Sequence, residues 1–186
     1  MSHAAGARSV PNSGGLASGG PPGSGRTIRL FILRFLAGWV AALLTLSAFP
    51  GIEDWAVRDT VRSLRFVLGI PPHASRQAES EDVLRVGDQS WQVVPDCTPL
   101  MPAITLALAM AAFPGTLRWK AAGIAVGTVL VWLFNLTRLV LLHFVEVLIP
   151  AAAAIVHVYF FQTLAFLFVC IIFMGWIDVQ ARRKLA

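Results

Sequence analysis

Three residues of this chain carry side chains that together could support acyl transfer: Cys97, Arg138 and His157. A cysteine attacks a carbonyl carbon as the thiolate, and a histidine can take up the thiol proton and later return it to a leaving amine. A fixed arginine can stabilise the oxyanion of the tetrahedral intermediate. The product of such chemistry is a thioester, which water resolves by hydrolysis and which an amine or hydroxyl acceptor resolves by transfer.

Four further residues are candidates for supporting roles: Asp96, Asn135, Tyr159 and Gln162. Asn135 lies three residues before Arg138, which places both on one helical face, where the amide could orient the guanidinium. Asp96 could pair with Arg138 or His157. Tyr159 and Gln162 follow His157 closely enough to line the same site.

Each of the three principal residues also has a purely structural interpretation. Cys97 could be an ordinary residue near a helix end, and Arg138 could extend its charge to the lipid headgroups. His157 could form a hydrogen bond between helices. A charge within a spanning segment costs about 2.5–3.5 kcal/mol on insertion scales, so such a residue is a functional candidate by default. The topology predicted below places all three residues at one depth in the membrane. A purely structural explanation would have to apply to each of them independently, which favours the functional interpretation.

The composition indicates that the elements holding these residues lie in a bilayer. Of the 186 residues, 56% are hydrophobic and 13% are charged, and the mean hydropathy is +0.70. Soluble domains carry about 25% charged residues. The net charge of +5 does not indicate nucleic-acid binding, because most basic residues flank apolar blocks, where they set orientation.

The predicted fold is an all-α integral membrane protein with about four transmembrane helices in a single membrane-embedded domain over residues 27–186. A spanning helix needs about 20 apolar residues. The apolar blocks that meet this need cover residues 30–49, 100–117, 121–145 and 151–177. Residues 1–26 are rich in Gly, Ser, Pro and Ala, and are predicted to form a disordered cytoplasmic tail.

The bias of basic residues predicts that both termini are cytoplasmic. Residues 50–96 then form an extracytoplasmic loop of about 47 residues, in which residues 54–68 have the pattern of an amphipathic helix at the membrane surface. Two β-prone runs around Gly87 and Asp88 predict a short hairpin. This topology brings Cys97, Arg138 and His157 to similar depth at the outer face.

No cofactor is predicted from the sequence. His143 and His157 lack acidic or cysteine partners at metal-ligand spacing, and there is no Gly-rich phosphate loop and no CxxC motif. Cys97 and Cys170 are predicted to be unpaired thiols, because they lie at a boundary and deep within a block, respectively.

Three segments carry a resemblance to a known family: Val-Pro-Asp-Cys97-Thr-Pro-Leu, then Asn135-Leu-Thr-Arg138-Leu-Val-Leu-Leu, and then Val-His157-Val-Tyr-Phe-Phe-Gln162. In this order, each at a helix boundary, they resemble the exosortase/archaeosortase family, especially short members of the exosortase H type. The resemblance covers roughly residues 83–168. Family members often have a small polar residue and Gly after the cysteine. This chain has Thr98 and Pro99 there, and a proline supplies no N–H donor.

The resemblance implies a membrane cysteine transpeptidase or peptidase. Cys97 would be the nucleophile, Arg138 the transition-state stabiliser and His157 the acid/base. The implied partners are membrane-anchored proteins with a C-terminal sorting signal, made of a short motif, a transmembrane helix and a basic tail. Cleavage would take place at the outer face of the cytoplasmic (inner) membrane.

Two other functions are compatible with the sequence. In a non-enzymatic scaffold or assembly protein, Arg138, His157 and Asn135 would only stabilise helix packing. In a small transporter or channel subunit, Arg138 and His157 would lie along a path. That role predicts polar residues at several depths, and few lie in the inner half of the blocks.

Overall fold

The computed structural model describes residues 24–70, 83–86 and 89–185. Six α-helices are found there: α1 (Ser24–Ala48), α2 (Gly51–Val67), α3 (Leu100–Ala112), α4 (Leu117–Leu148), α5 (Pro150–Ile155) and α6 (Gln162–Leu185). A π-helical segment, Val156–Phe161, joins α5 to α6, and a short 3-10 turn, Pro95–Cys97, precedes α3.

Three helical stretches are long and apolar enough to cross a membrane: Gly25–Ala48, Leu117–Leu148 and Tyr159–Arg183. At about 1.5 Å per residue, each exceeds the 30 Å hydrocarbon core. They coincide with three of the four predicted blocks, which confirms long apolar helices in those places. Their ends lie one to eight residues from the predicted bounds, and the largest difference is at the start of the last block.

The remaining apolar block differs from its prediction in length. The predicted segment over residues 100–117 is helical only over the 13 residues Leu100–Ala112, about 20 Å. Phe113 is extended, with ψ 144°. It precedes Pro114, and the residue before a proline is displaced from the helical region. A fourth crossing at α3 therefore stays a prediction.

The region before Cys97 contains a helix and two strands. Strand β1 (Val83–Val86) pairs antiparallel with β2 (Gln89–Gln92). The turn predicted at Gly87 and Asp88 lies outside the described residues, as do residues 71–82 and most of the predicted tail (residues 1–23). Residues 24–26 of that tail belong to α1.

Helix α2 packs against the protein through one face. Val61 and Leu64 are fully buried, and burial of such side chains stabilises by about 1.5–3 kcal/mol each. Trp55, near the start of the same helix, is 60% exposed. Lipid contact by α2 remains a prediction.

Two apolar clusters stabilise opposite ends of the bundle. One joins α2, the Cys97 turn and α4, through Val57, Val61, Leu64, Val93, Cys97 and Leu139. The other joins α3, α4 and α6, through Leu106, Met110, Val131, Val169 and Trp176. In the second cluster, Gly123 and Gly127 let helices approach closely, since a Cβ at Gly127 would lie 2.7 Å from Leu106 and one at Gly123 would overlap Trp176.

Candidate active site

Cys97 lies in a tight turn that the chain must form after Val94. Val94 is extended, as expected before a proline, and Pro95 starts the 3-10 turn. The amide of Cys97 donates to the Val94 carbonyl at 2.8 Å, and that of Thr98 donates to the Pro95 carbonyl at 3.0 Å. The turn therefore fixes the backbone on both sides of the thiol.

Helices α2 and α4 hold this turn from two directions. The Cys97 side chain is 9% exposed and belongs to the cluster with Val61, Leu64 and Leu139. From α4, the side-chain amide of Asn135 donates to the Cys97 carbonyl at 2.9 Å. Asn135 is itself buried, so this hydrogen bond ties the turn to α4.

His157 approaches the thiol from the π-helical segment. Its Nε2 lies 3.9 Å from Cys97 Sγ, although the two residues are 60 positions apart. This distance is long for a hydrogen bond, and such catalytic contacts often tighten only when substrate is bound. A π-helical turn inside a helix is uncommon and frequently occurs at functional sites.

Arg138 completes the group from α4, one turn beyond Asn135. Its side chain is only 6% exposed, and its Nε is buried without a hydrogen-bond partner among the described residues. The guanidinium interacts electrostatically with Cys97, Asp96 and His157. A buried cation therefore lies close to both the thiol and the imidazole.

The donors near Cys97 determine which groups could bind an oxyanion. The amides of Cys97 and Thr98 are already used within the turn, and Pro99 has no N–H. Arg138 and the second amide hydrogen of Asn135 remain as donors beside the turn. In this site, oxyanion binding by a backbone amide at position 99 is excluded.

The electrostatic surroundings favour a neutral imidazole at His157, which lies two residues before the spanning stretch Tyr159–Arg183. Burial lowers the pKa of His157 below its ordinary value, the charge of Arg138 lowers it further, and Asp96 opposes both. A neutral imidazole can accept the thiol proton. Its Nδ1 is buried and has no hydrogen-bond partner in the described part of the chain, so no third group there orients the ring.

The supporting residues proposed from sequence occupy different surroundings. Asp96 is exposed, yet its carboxylate acts on both Arg138 and His157. Tyr159 is 72% exposed, and Gln162 is exposed as well. Within the described ranges, no hydrogen bond joins Tyr159 or Gln162 to the three principal residues.

Two features of the site were not predicted. Thr98 is 3% exposed, and its hydroxyl donates to the Pro95 carbonyl at 2.7 Å, which rigidifies the turn. A cavity of about 260 Å³ adjoins the turn, between α2 and the chain that leads into it, and Asp54, Arg58 and residues 92–95 line it. The role of Thr98 could have been predicted from its position directly after the cysteine. The cavity could not, because it depends on how α2 packs.

No family model, curated protein sequence or solved structure matches the chain. The function proposed below therefore rests on the geometry of the site.

Proposed function

We propose that the chain is a membrane cysteine transpeptidase or peptidase related to the exosortase/archaeosortase family. The observation that carries the proposal is the approach of His157 Nε2 to within 3.9 Å of Cys97 Sγ, beside the buried guanidinium of Arg138. Three separate elements supply these groups. Helix packing alone does not require a thiol, an imidazole and a cation to meet.

The proposed reaction begins when the Cys97 thiol transfers its proton to His157 and the sulfur bonds to the substrate carbonyl carbon. Negative charge develops on the carbonyl oxygen, and Arg138 stabilises it. The C–N bond then breaks as His157 returns the proton to the leaving amine. Water or an acceptor nucleophile attacks the resulting thioester, which releases Cys97.

The proposed substrate is an exported protein anchored by a C-terminal helix that follows a short motif and precedes a basic tail. The proposed topology has both termini in the cytoplasm, α3 as a fourth crossing, and Cys97 at the outer face of the cytoplasmic membrane. The substrate helix would lie beside the bundle, with its cleavage motif level with Cys97. The cavity between α2 and residues 92–95 supports a binding role for the loop before Cys97.

One observation favours a second candidate, a non-enzymatic scaffold. The hydrogen bond from Asn135 to the Cys97 carbonyl and the burial of Arg138 also stabilise the contact between the Cys97 turn and α4. In a scaffold, the polar residues would serve only to stabilise this contact. The thiol of Cys97 would then be dispensable.

The test is cleavage in cells of a co-expressed substrate of the proposed type. We expect Cys97→Ala to abolish cleavage while the protein accumulates normally, because the backbone hydrogen bonds of the turn do not involve Sγ. Cys170→Ala is the matched control, since Cys170 is the second free cysteine and lies in α6. It should cleave like the wild type. Cleavage by Cys97→Ala would exclude the thioester mechanism and favour the scaffold.

A further inference from the structure

A second candidate site lies at the opposite end of α4 from Cys97. Trp119 precedes Arg138 by 19 residues, which corresponds to about 28 Å along the helix. Two cavities adjoin there and share Trp119 in their walls. One, of about 320 Å³, is an apolar groove between α4 and α6, and the other, of about 340 Å³, is lined by Gly115, Thr116, Trp119, Gln180 and Arg183.

Both cavities are lined by residues that carry buried polar atoms without hydrogen-bond partners among the described residues. Gln180 is 7% exposed, and its Nε2 donates to the Pro114 carbonyl at 3.0 Å while its Oε1 has no partner. The indole Nε1 atoms of Trp119 and Trp176 are also buried without a hydrogen-bond partner in the parts of the chain that the structure describes. Buried polar groups are normally satisfied, so this concentration indicates a ligand that carries hydrogen-bond acceptors and at least one donor.

The charge at this end of the bundle is positive. Arg118, Arg182 and Arg183 are exposed there, and the guanidinium of Arg183 lies 4.4 Å from the centre of the Trp119 ring. Arg182 is engaged with Asp178 at 2.8 Å, whereas Arg183 lines the polar cavity. A basic pocket between spanning helices is suited to an anionic lipid headgroup.

The apolar groove has the shape expected for an acyl chain. Along α4 it extends from Trp119 to Leu130, about 16 Å, and the facing wall on α6 includes Ile171, Gly175 and Val179. A Cβ at Gly175 would meet no atom within 4 Å, so the groove is open at this point. The groove therefore continues from the basic cavity towards the middle of the bundle.

We propose that this face binds one anionic phospholipid, with its phosphate against Arg183 and Trp119 and one acyl chain in the groove between α4 and α6. A headgroup hydroxyl, as in phosphatidylglycerol, supplies the donor that Gln180 Oε1 lacks. The other occupant of suitable shape is the helix of a substrate with a basic tail. That tail would meet the like charges of Arg118, Arg182 and Arg183, which disfavours it.

The test is native mass spectrometry of the purified full-length protein in detergent, titrated with phosphatidylglycerol or with phosphatidylcholine of the same acyl chains. We expect one bound phosphatidylglycerol and weaker binding of phosphatidylcholine. Arg183→Gln should weaken phosphatidylglycerol binding about fivefold, the effect of one basic residue near a membrane surface, and weaken phosphatidylcholine binding less, because choline offsets the charge of its phosphate. Gly175→Leu should reduce the binding of both lipids, because its side chain occupies the groove.

Two matched controls separate a specific site from general effects. Arg182→Gln removes an equal charge from the same end, and Ala125→Leu adds apolar volume to an exposed position of α4 outside the groove. Both should bind like the wild type. Equal binding of the two lipids by the wild type, or an equal effect of Arg182→Gln and Arg183→Gln, would overturn the proposal. Lipid binding that Gly175→Leu leaves unchanged would also overturn the proposal, because the acyl chain would then lie outside the groove.

Discussion

At the scale of single residues, the site combines a thiol, an imidazole and a buried cation with few alternative donors. Because the amides of Cys97 and Thr98 are used within the turn, charge stabilisation in the proposed reaction depends on Arg138, with Asn135 nearby. One amide hydrogen of Asn135 is donated to the Cys97 carbonyl. Its sequence-based role of orienting the Arg138 guanidinium stays a prediction.

Substitution of Arg138 tests the oxyanion role. We expect Arg138→Gln to lower kcat about 10²–10³-fold, the usual cost of removing one oxyanion donor. Arg138→Lys should recover only part of this loss, because an ammonium ion keeps the charge but lacks the planar donor fork. Cleavage rates in membranes measure both effects. Arg62→Gln, which removes an exposed arginine from α2, is the control and should keep full activity.

The pH dependence tests the pairing of Arg138 with His157. A general base works only when unprotonated, so activity falls as the pH drops through the pKa of His157. Burial and Arg138 lower this pKa, so the acid limb of the wild-type kcat/KM profile should lie below the ordinary histidine value of 6.5. Removing the charge in Arg138→Gln should raise the pKa and move the acid limb of the residual activity upward. An unmoved limb, or one displaced downward, would contradict the pairing.

At the scale of elements, the π-helical segment Val156–Phe161 decides where His157 points. A π turn holds more residues than an α turn, so it rotates the side chains before it relative to those after it. Helix α6 is fixed by the packing of Val169 and Trp176, and His157 lies before this anchor. The imidazole therefore depends on the segment for its position beside Cys97.

Deletion of Phe160 tests this dependence. Removing one residue should convert the segment to α-helix, which displaces His157 within the turn while the helices on either side keep their register. We expect cleavage to fall about 10²–10⁴-fold, the usual contribution of an acid/base residue, while the protein still accumulates. Phe160→Ala is the control, since Phe160 is 59% exposed and its loss leaves the backbone intact. An active deletion variant would show that the position of His157 does not depend on the π turn.

At the scale of the whole molecule, the two ends of the bundle differ in chemistry. One end carries the Cys97 site under α2, and the other carries the basic residues and the two adjoining cavities. Helix α4 connects them and, with 32 residues, is about 48 Å long. If basic residues set the orientation by their usual rule, the Cys97 end faces away from the cytoplasm.

Cysteine labelling tests this orientation. In a Cys97→Ala, Cys170→Ala background, we expect Asp54→Cys on α2 to react with a membrane-impermeant maleimide in intact cells. Ala181→Cys near the end of α6 should react only after permeabilisation. Both positions are exposed, so differences in burial do not explain a difference in labelling. The reverse pattern would place Cys97 in the cytoplasm and contradict the proposed processing of exported substrates.

The sequence by itself determined the long apolar helices and the candidate residues. Hydropathy over about 20 residues is a local property, and three of the four predicted blocks are helices of spanning length. Counting residues along those blocks also predicted that Cys97, Arg138 and His157 lie at similar depth, and Cys97 and His157 do meet. Pro114 was also a local signal, because a proline displaces the preceding residue from the helical region and α3 ends at Ala112. The apolar residues on both sides of it predicted a longer helix instead.

Only the tertiary structure decided which faces these elements present to one another. Val61 and Leu64 of α2 are buried in the cluster that contains Cys97, whereas Trp55 is exposed. Which face of α2 is buried depends on the surfaces of α4 and of the Cys97 turn. The partner of Asn135 and the π-helical turn at His157 depend on packing in the same way. Periodicity fixes which residues share a helix face. The contacts that this face makes depend on residues distant in sequence, as with Cys97 and His157, which are 60 positions apart.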